Sequence, residues 1–108
     1  SKIFCDMKFG LKKLQFDQIV TVFSNHKEIE TVILYGSRAK GCQKPYSDID
    51  ITIVSDKINL TSLQKIEIEL DDLMLPYKFD VSIYKTIENK ELLDHINRVG
   101  KVFYKREN

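Results

Sequence analysis

Apolar side chains recur along this chain with two different periods, and the changes from one to the other mark out its elements. Phe16, Ile19, Val20 and Phe23 stand at i, i+3, i+4 and i+7, the stripe of an amphipathic helix predicted from about Leu11 to His26. Thr31-Val32-Ile33-Leu34-Tyr35 is β-branched and aromatic and runs straight into Gly36, so it reads as a buried strand ending in a turn. Asp48 to Val54 forms a second strand, alternating strictly from Asp48 to Ile53. Ser62 to Met74 returns to the helical period, with Leu63, Ile66, Leu70, Leu73 and Met74 on one stripe. Thr61 and Gln64 fit a capping box at its start, and Pro76 helps to stop it. A third strand spans Lys78 to Tyr84, a short helix Glu91 to Arg98 ends at Gly100, and Val102-Phe103-Tyr104 adds an edge strand. Helix, strand, turn, strand, helix, strand, helix predicts an α+β fold: a small mixed β-sheet flanked by helices.

Composition narrows this picture. The 108 residues suit one domain spanning 1–108, and a hydrophobic content of 43% is enough for a core. Lys and Arg number 17 against 16 Asp and Glu, a formal charge of +1, which argues against holding nucleic acid by phosphate neutralisation. No apolar run approaches the roughly 18 residues of a membrane span, and no secretory h-region is visible. Cys5 and Cys42 lie far apart without metal-ligand spacing, so a reduced cytoplasmic protein is expected.

The strand period decides what the acids can do. Asp48 and Asp50 are two apart and share a face with Thr52, while Ile49, Ile51 and Ile53 enter the core. Neighbouring carboxylates repel unless a cation lies between them, and Mg2+ prefers such oxygen ligands. Aspartate is depleted in strands, yet here it occurs twice on one face; a merely solvated face is the competing explanation. In Phe79-Asp80-Val81-Ser82-Ile83 the odd positions are apolar, and Asp80 lies on the other face with Lys78 and Ser82. If the two strands lie side by side, three carboxylates converge, enough for two divalent ions.

Gly36-Ser37-Arg38-Ala39-Lys40-Gly41 follows the first strand directly. Gly36 permits a sharp turn and a close approach, Ser37 supplies a hydroxyl, and amides at the start of a short helix favour an anion. Arg38, Lys40 and Lys44 add positive charge with no acid among them. An ordinary solvated turn would look much the same by itself. A phosphate cradle followed by an acidic pair and a later lone aspartate is more specific.

Gly36-Ser37, ten residues, then Asp48-Ile49-Asp50 resembles the GSx10DxD signature of the DNA polymerase β-like nucleotidyltransferases, and Asp80 matches their third acidic position. The chain is most similar to the small "minimal" nucleotidyltransferases (the MNT family), over nearly its whole length. This resemblance implies transfer of a nucleoside monophosphate, expected to be AMP from ATP, onto an acceptor hydroxyl with release of pyrophosphate. It implies that Asp48, Asp50 and Asp80 hold two Mg2+ ions and carry the catalysis. Gly36 and Ser37 would bind the β- and γ-phosphates, with Arg38 and Lys40 as further triphosphate contacts. Minimal members are commonly paired with a small all-helical protein, an HEPN toxin or a related substrate-binding subunit; in the toxin systems the resemblance implies an antitoxin that adenylylates the toxin.

A non-catalytic protein that neutralises its helical partner sterically is the alternative from another class, and a nucleic-acid-binding module is the least favoured. The acceptor would have to come from a partner, since little of the chain is left for a second domain. Leu92, Leu93 and Ile96 offer an apolar patch for that partner. Tyr46 is the tyrosine to test for nucleobase contact, whereas His26 and His95 read as surface or capping residues without a visible partner. Cys42 is oxidation-prone if exposed, and nothing marks it as a nucleophile.

Overall fold

A computed structural model describes residues 7–107. The chain runs β1 (Met7–Lys8), β2 (Leu11–Lys12), α1 (Lys13–Ser24), β3 (Thr31–Tyr35), α2 (Gly36–Lys40), β4 (Ile49–Val54), α3 (Leu60–Asp71), β5 (Phe79–Ile83), α4 (Lys90–Val99) and β6 (Lys101–Lys105). A 3-10 turn at Tyr84–Thr86 follows β5. The expected α+β fold is present: four strands in the order β5-β4-β3-β6 form a mixed sheet, with β4 and β5 parallel and the other pairs antiparallel. Among the described residues no helix is long and apolar enough to cross a membrane.

The strand alternation divides the side chains between two faces. Val32, Leu34, Ile49, Ile51 and Ile53 are fully buried in a core with Ile19 and Phe23 of α1 and Leu63, Ile66 and Leu70 of α3. Between Val32 and Ile33 the β3–β6 register shifts, a bulge that leaves Phe103 as the extra residue. Both Phe103 and Tyr104 lie against Phe23, each with ring centroids 6.0 Å apart. The opposite face carries Ile33, Tyr35, Asp50, Thr52, Asp80 and Ser82, and α4 covers only its β3 side. There Ile96 is buried, and a Cβ on Gly100 would run into the Ile33 side chain and the Ile96 carbonyl.

Several boundaries depart from the sequence expectation. Leu11 does not open a helix; it is buried in a hairpin whose Phe9-Gly10 turn has positive φ at both residues, the geometry that matches strand twist in two-residue hairpins. Helix α1 therefore starts at Lys13 and ends at Ser24. The cap of α3 is Asn59, whose Oδ1 accepts from the Ser62 N–H at 2.9 Å, not the Thr61–Gln64 box. That helix ends at Asp71, three residues before Met74, which has φ +57°. Strand β4 begins at Ile49, so Asp48 stands just before it.

Candidate active site

The parallel register of β4 and β5 sets Asp50 opposite Asp80 and Thr52 opposite Ser82. In-register residues of neighbouring strands project to the same face, so the two carboxylates form one row. Across the antiparallel side, Asp50 pairs with Tyr35, the last residue of β3. The row continues along the strands as a polar pair, with the Ser82 hydroxyl donating to Thr52 Oγ1 at 2.9 Å. Asp50 is half-buried, while Asp48 and Asp80 are exposed.

Gly36 closes the site from the end of β3. Its φ is +75°, and a Cβ built there would collide with the Asp50 carboxylate. Only glycine combines this left-handed conformation with that approach. The Gly36 N–H donates to His95 Nε2 at 3.2 Å, and the imidazole meets the Tyr35 ring edge-on at 6.0 Å and 82°. His95 is thus part of the site surround and not the partnerless surface residue expected from sequence. Ser37 is half-buried, and its hydroxyl makes no hydrogen bond among the described residues. Gly41, in the left-handed region at φ +78°, ends the short helix.

Arg38 departs from its expected place beside the triphosphate. It is 2% exposed. Its Nε and Nη2 donate to the Ser47 carbonyl at 3.1 and 2.8 Å, and Nη1 donates to the Phe9 carbonyl at 2.9 Å. The guanidinium also lies 4.7 Å from the centroid of the Tyr77 ring. Arg38 is therefore a strut joining the β1–β2 turn to the segment that delivers Asp48. Burial lowers its pKa, opposed by Tyr77 and by the Asp48 and Asp50 carboxylates.

The charges around Asp50 reinforce one another. Burial, then Asp80, then Asp48 hold its carboxyl above the usual range, against the weaker opposing pulls of His95 and Arg38. Burial also raises the Tyr35 phenol, with Asp80 and Asp50 adding to the effect and the Ser82 hydroxyl reducing it. Repelling oxygen donors on one face suit a hard divalent cation, which would relieve that repulsion. Among the described residues, no three His, Cys, Asp or Glu side chains are gathered into a ready-made cage.

The remaining candidates lie around this row. Lys40 and Lys44 are exposed. Tyr46 is 73% exposed and lines a cavity of about 480 Å3 with Tyr77, Lys44 and Gln43, which none of the three aspartates borders. The acidic row therefore lies outside that cavity. His26 does have partners: Glu28 Oε1 at 3.1 Å from Nδ1 and Glu69 Oε2 at 2.6 Å from Nε2. The free Cys42 is exposed. Of the apolar patch expected on α4, Ile96 is buried beneath the helix, and Leu92 and Leu93 are half-buried.

The family described as polymerase beta, nucleotidyltransferase matches residues 17–108. No curated protein gives a significant match to the chain. Among solved structures, a toxin–antitoxin complex with AMP-PNP is similar at 18% identity and a TM-score of 0.67, covering 85% of this chain and 74% of that one. A complex of a tri-AMPylated Shewanella oneidensis HEPN toxin with its MNT antitoxin is similar at 16% identity and a TM-score of 0.63, covering 87% and 72%. A nucleotidyltransferase-like protein of Sulfolobus solfataricus is 24% identical, with a TM-score of 0.54 and coverage of 89% and 81%. At these identities the likeness speaks for the fold, and the family match supplies the rest: with Gly36-Ser37 and the acidic row in place, the chain belongs to the polymerase β nucleotidyltransferase family.

Proposed function

We propose that this protein transfers AMP from Mg2+-bound ATP to a hydroxyl on a small helical partner protein, as the antitoxin of an HEPN/MNT-type pair. The observation that carries this reading is the in-register Asp50–Asp80 pair, with Gly36 pressed against Asp50. The likeness to the AMP-PNP complex and to the AMPylated HEPN toxin complex supports the choice of nucleotide and of a protein acceptor. We take residues 1–108 as a single nucleotidyltransferase domain working in the cytoplasm, a compartment that suits the exposed free thiol of Cys42.

In this reading Asp48, Asp50 and Asp80 would hold the metal ions. Divalent cations bound there would neutralise the triphosphate and acidify the acceptor hydroxyl. Ser37 offers to the β- and γ-phosphates a hydroxyl with no hydrogen bond among the described residues, and the exposed Lys40 adds charge at the same turn. The acceptor oxygen bonds to the α-phosphorus as the bond from that phosphorus to the α,β-bridging oxygen breaks. Pyrophosphate leaves, and the hydroxyl proton passes to Asp80, an exposed carboxylate. Such catalysis is positioning and charge stabilisation, so each member of the row matters more than its exposure suggests.

The test is label transfer from α-phosphate-labelled ATP with Mg2+ into host lysate, comparing wild type with Asp50→Asn. A labelled protein band that depends on Asp50 is the expected result and identifies the acceptor. Labelled RNA would keep the reaction and replace the acceptor. Neutralisation of the partner by Asp50→Asn without any label would favour steric binding instead.

A further inference from the structure

The Gly36 amide falls just beyond the last strand pair of β3, between Tyr35 and Asp50, so the ladder does not provide its acceptor. A part-buried N–H left without one would be costly. The acceptor present comes from 59 residues away: Nε2 of His95, on α4. Two further features hold that ring in place. Its edge-on packing against Tyr35 sets its plane, and the buried Ile96 next to it in sequence anchors the helix to the sheet.

We infer that His95 is a positioning residue for the phosphate-binding turn, acting through Gly36 and not through contact with the nucleotide. The inference rests on the nucleotidyltransferase reading given above. Gly36 occupies a left-handed conformation with Asp50 against its Cα, and the imidazole holds the peptide in that state. Ser37, the next residue, is thereby held at a set distance from the acidic row. A further consequence is that the Gly36 N–H is engaged by the imidazole. The turn's phosphate contact therefore falls to Ser37, with Gly36 serving as the pivot.

Accepting from an N–H requires a lone pair at the Nε2 position and a side chain of the right length. Glutamine places its Oε1 near that position, asparagine stops short of it, and phenylalanine preserves the ring packing on Tyr35 without an acceptor. The experiment measures the affinity for AMP-PNP with Mg2+ by calorimetry in wild type, His95→Phe, His95→Asn and His95→Gln. Thermal unfolding without nucleotide establishes that each variant is folded. The expected result is affinity weakened about 3- to 10-fold in His95→Phe and His95→Asn, the scale of one hydrogen bond, with His95→Gln close to wild type. Should His95→Phe not fold, the Asn and Gln pair decides alone. Wild-type affinity in folded Phe or Asn variants would overturn the inference, as would a Gln variant no better than Asn. Wild type that fails to bind AMP-PNP would overturn the nucleotidyltransferase reading itself, a result separable from the others.

Discussion

The two faces of the sheet are built from the same strands and obey opposite rules. On one face Val32, Leu34, Ile49, Ile51 and Ile53 are sealed by α1 and α3, and every contact there lowers the free energy of folding. On the other, Asp50 stands half-buried in the field of Asp80 and Asp48, an arrangement that folding alone would avoid. The contrast shows how the family can hold repelling carboxylates in place. Alternation fixes each aspartate to a neighbour that is locked into the core, so the apolar face offsets the cost of the acidic one.

The sharpest way to separate the faces is Asp50→Asn. It should lower transfer about a thousandfold or more while leaving the circular dichroism spectrum unchanged. In divalent-free buffer at neutral pH its melting temperature should rise, because the mutation removes a carboxylate that burial and two neighbours disfavour. A fall in melting temperature would show that Asp50 also supports the fold.

Ile66→Ala probes the opposite face. Ile66 is fully buried, and its truncation should cost about 3 kcal/mol in urea unfolding while the folded fraction keeps its transfer rate. Loss of rate per folded molecule would mean that the faces are coupled through β4. Arg38→Met tests the strut between the β1–β2 turn and the segment before β4. Leaving the Ser47 and Phe9 carbonyls without their buried donor should cost about 2 kcal/mol and lower transfer in parallel.

The smallest effect concerns pH. The folded carboxyl of Asp50 titrates above its unfolded value, so the folded state binds the proton more tightly. The stability gained from that proton is present below the unfolded carboxylate pKa and is lost as pH rises through the raised folded value. A series of melting temperatures across this acidic range should show that decline in wild type and a flatter profile in Asp50→Asn. Equal slopes would remove Asp50 from the account.

Most of the sheet was legible from periodicity alone. Strands β3, β4 and β5 lie within a residue or two of their expected bounds, because their alternation and the burial it produces agree. The β1–β2 hairpin was not, since strands of two residues carry no period and Leu11 continues the helical stripe. Asn59 and Thr61 both had capping chemistry, and only the observed bond to Ser62 decides between them. In the site, the three aspartates and Gly36-Ser37 were visible as a motif. The task of Arg38 was not, because its burial depends on carbonyls of Phe9 and Ser47 that only the folded chain brings together. His95 reads from sequence as a surface or capping residue for the same reason: its donor lies 59 residues away, and nothing near it in sequence reveals a partner.

The parallel pairing of β4 with β5 also acts as a proofreading device. A slip of β5 by one residue would turn Asp80 into the apolar interior and push Phe79, Val81 and Ile83 outward. Every such misaligned chain would lose core packing along with the carboxylate row. Quality control that senses stability therefore also screens, without any contact with nucleotide, for molecules whose third carboxylate is in place.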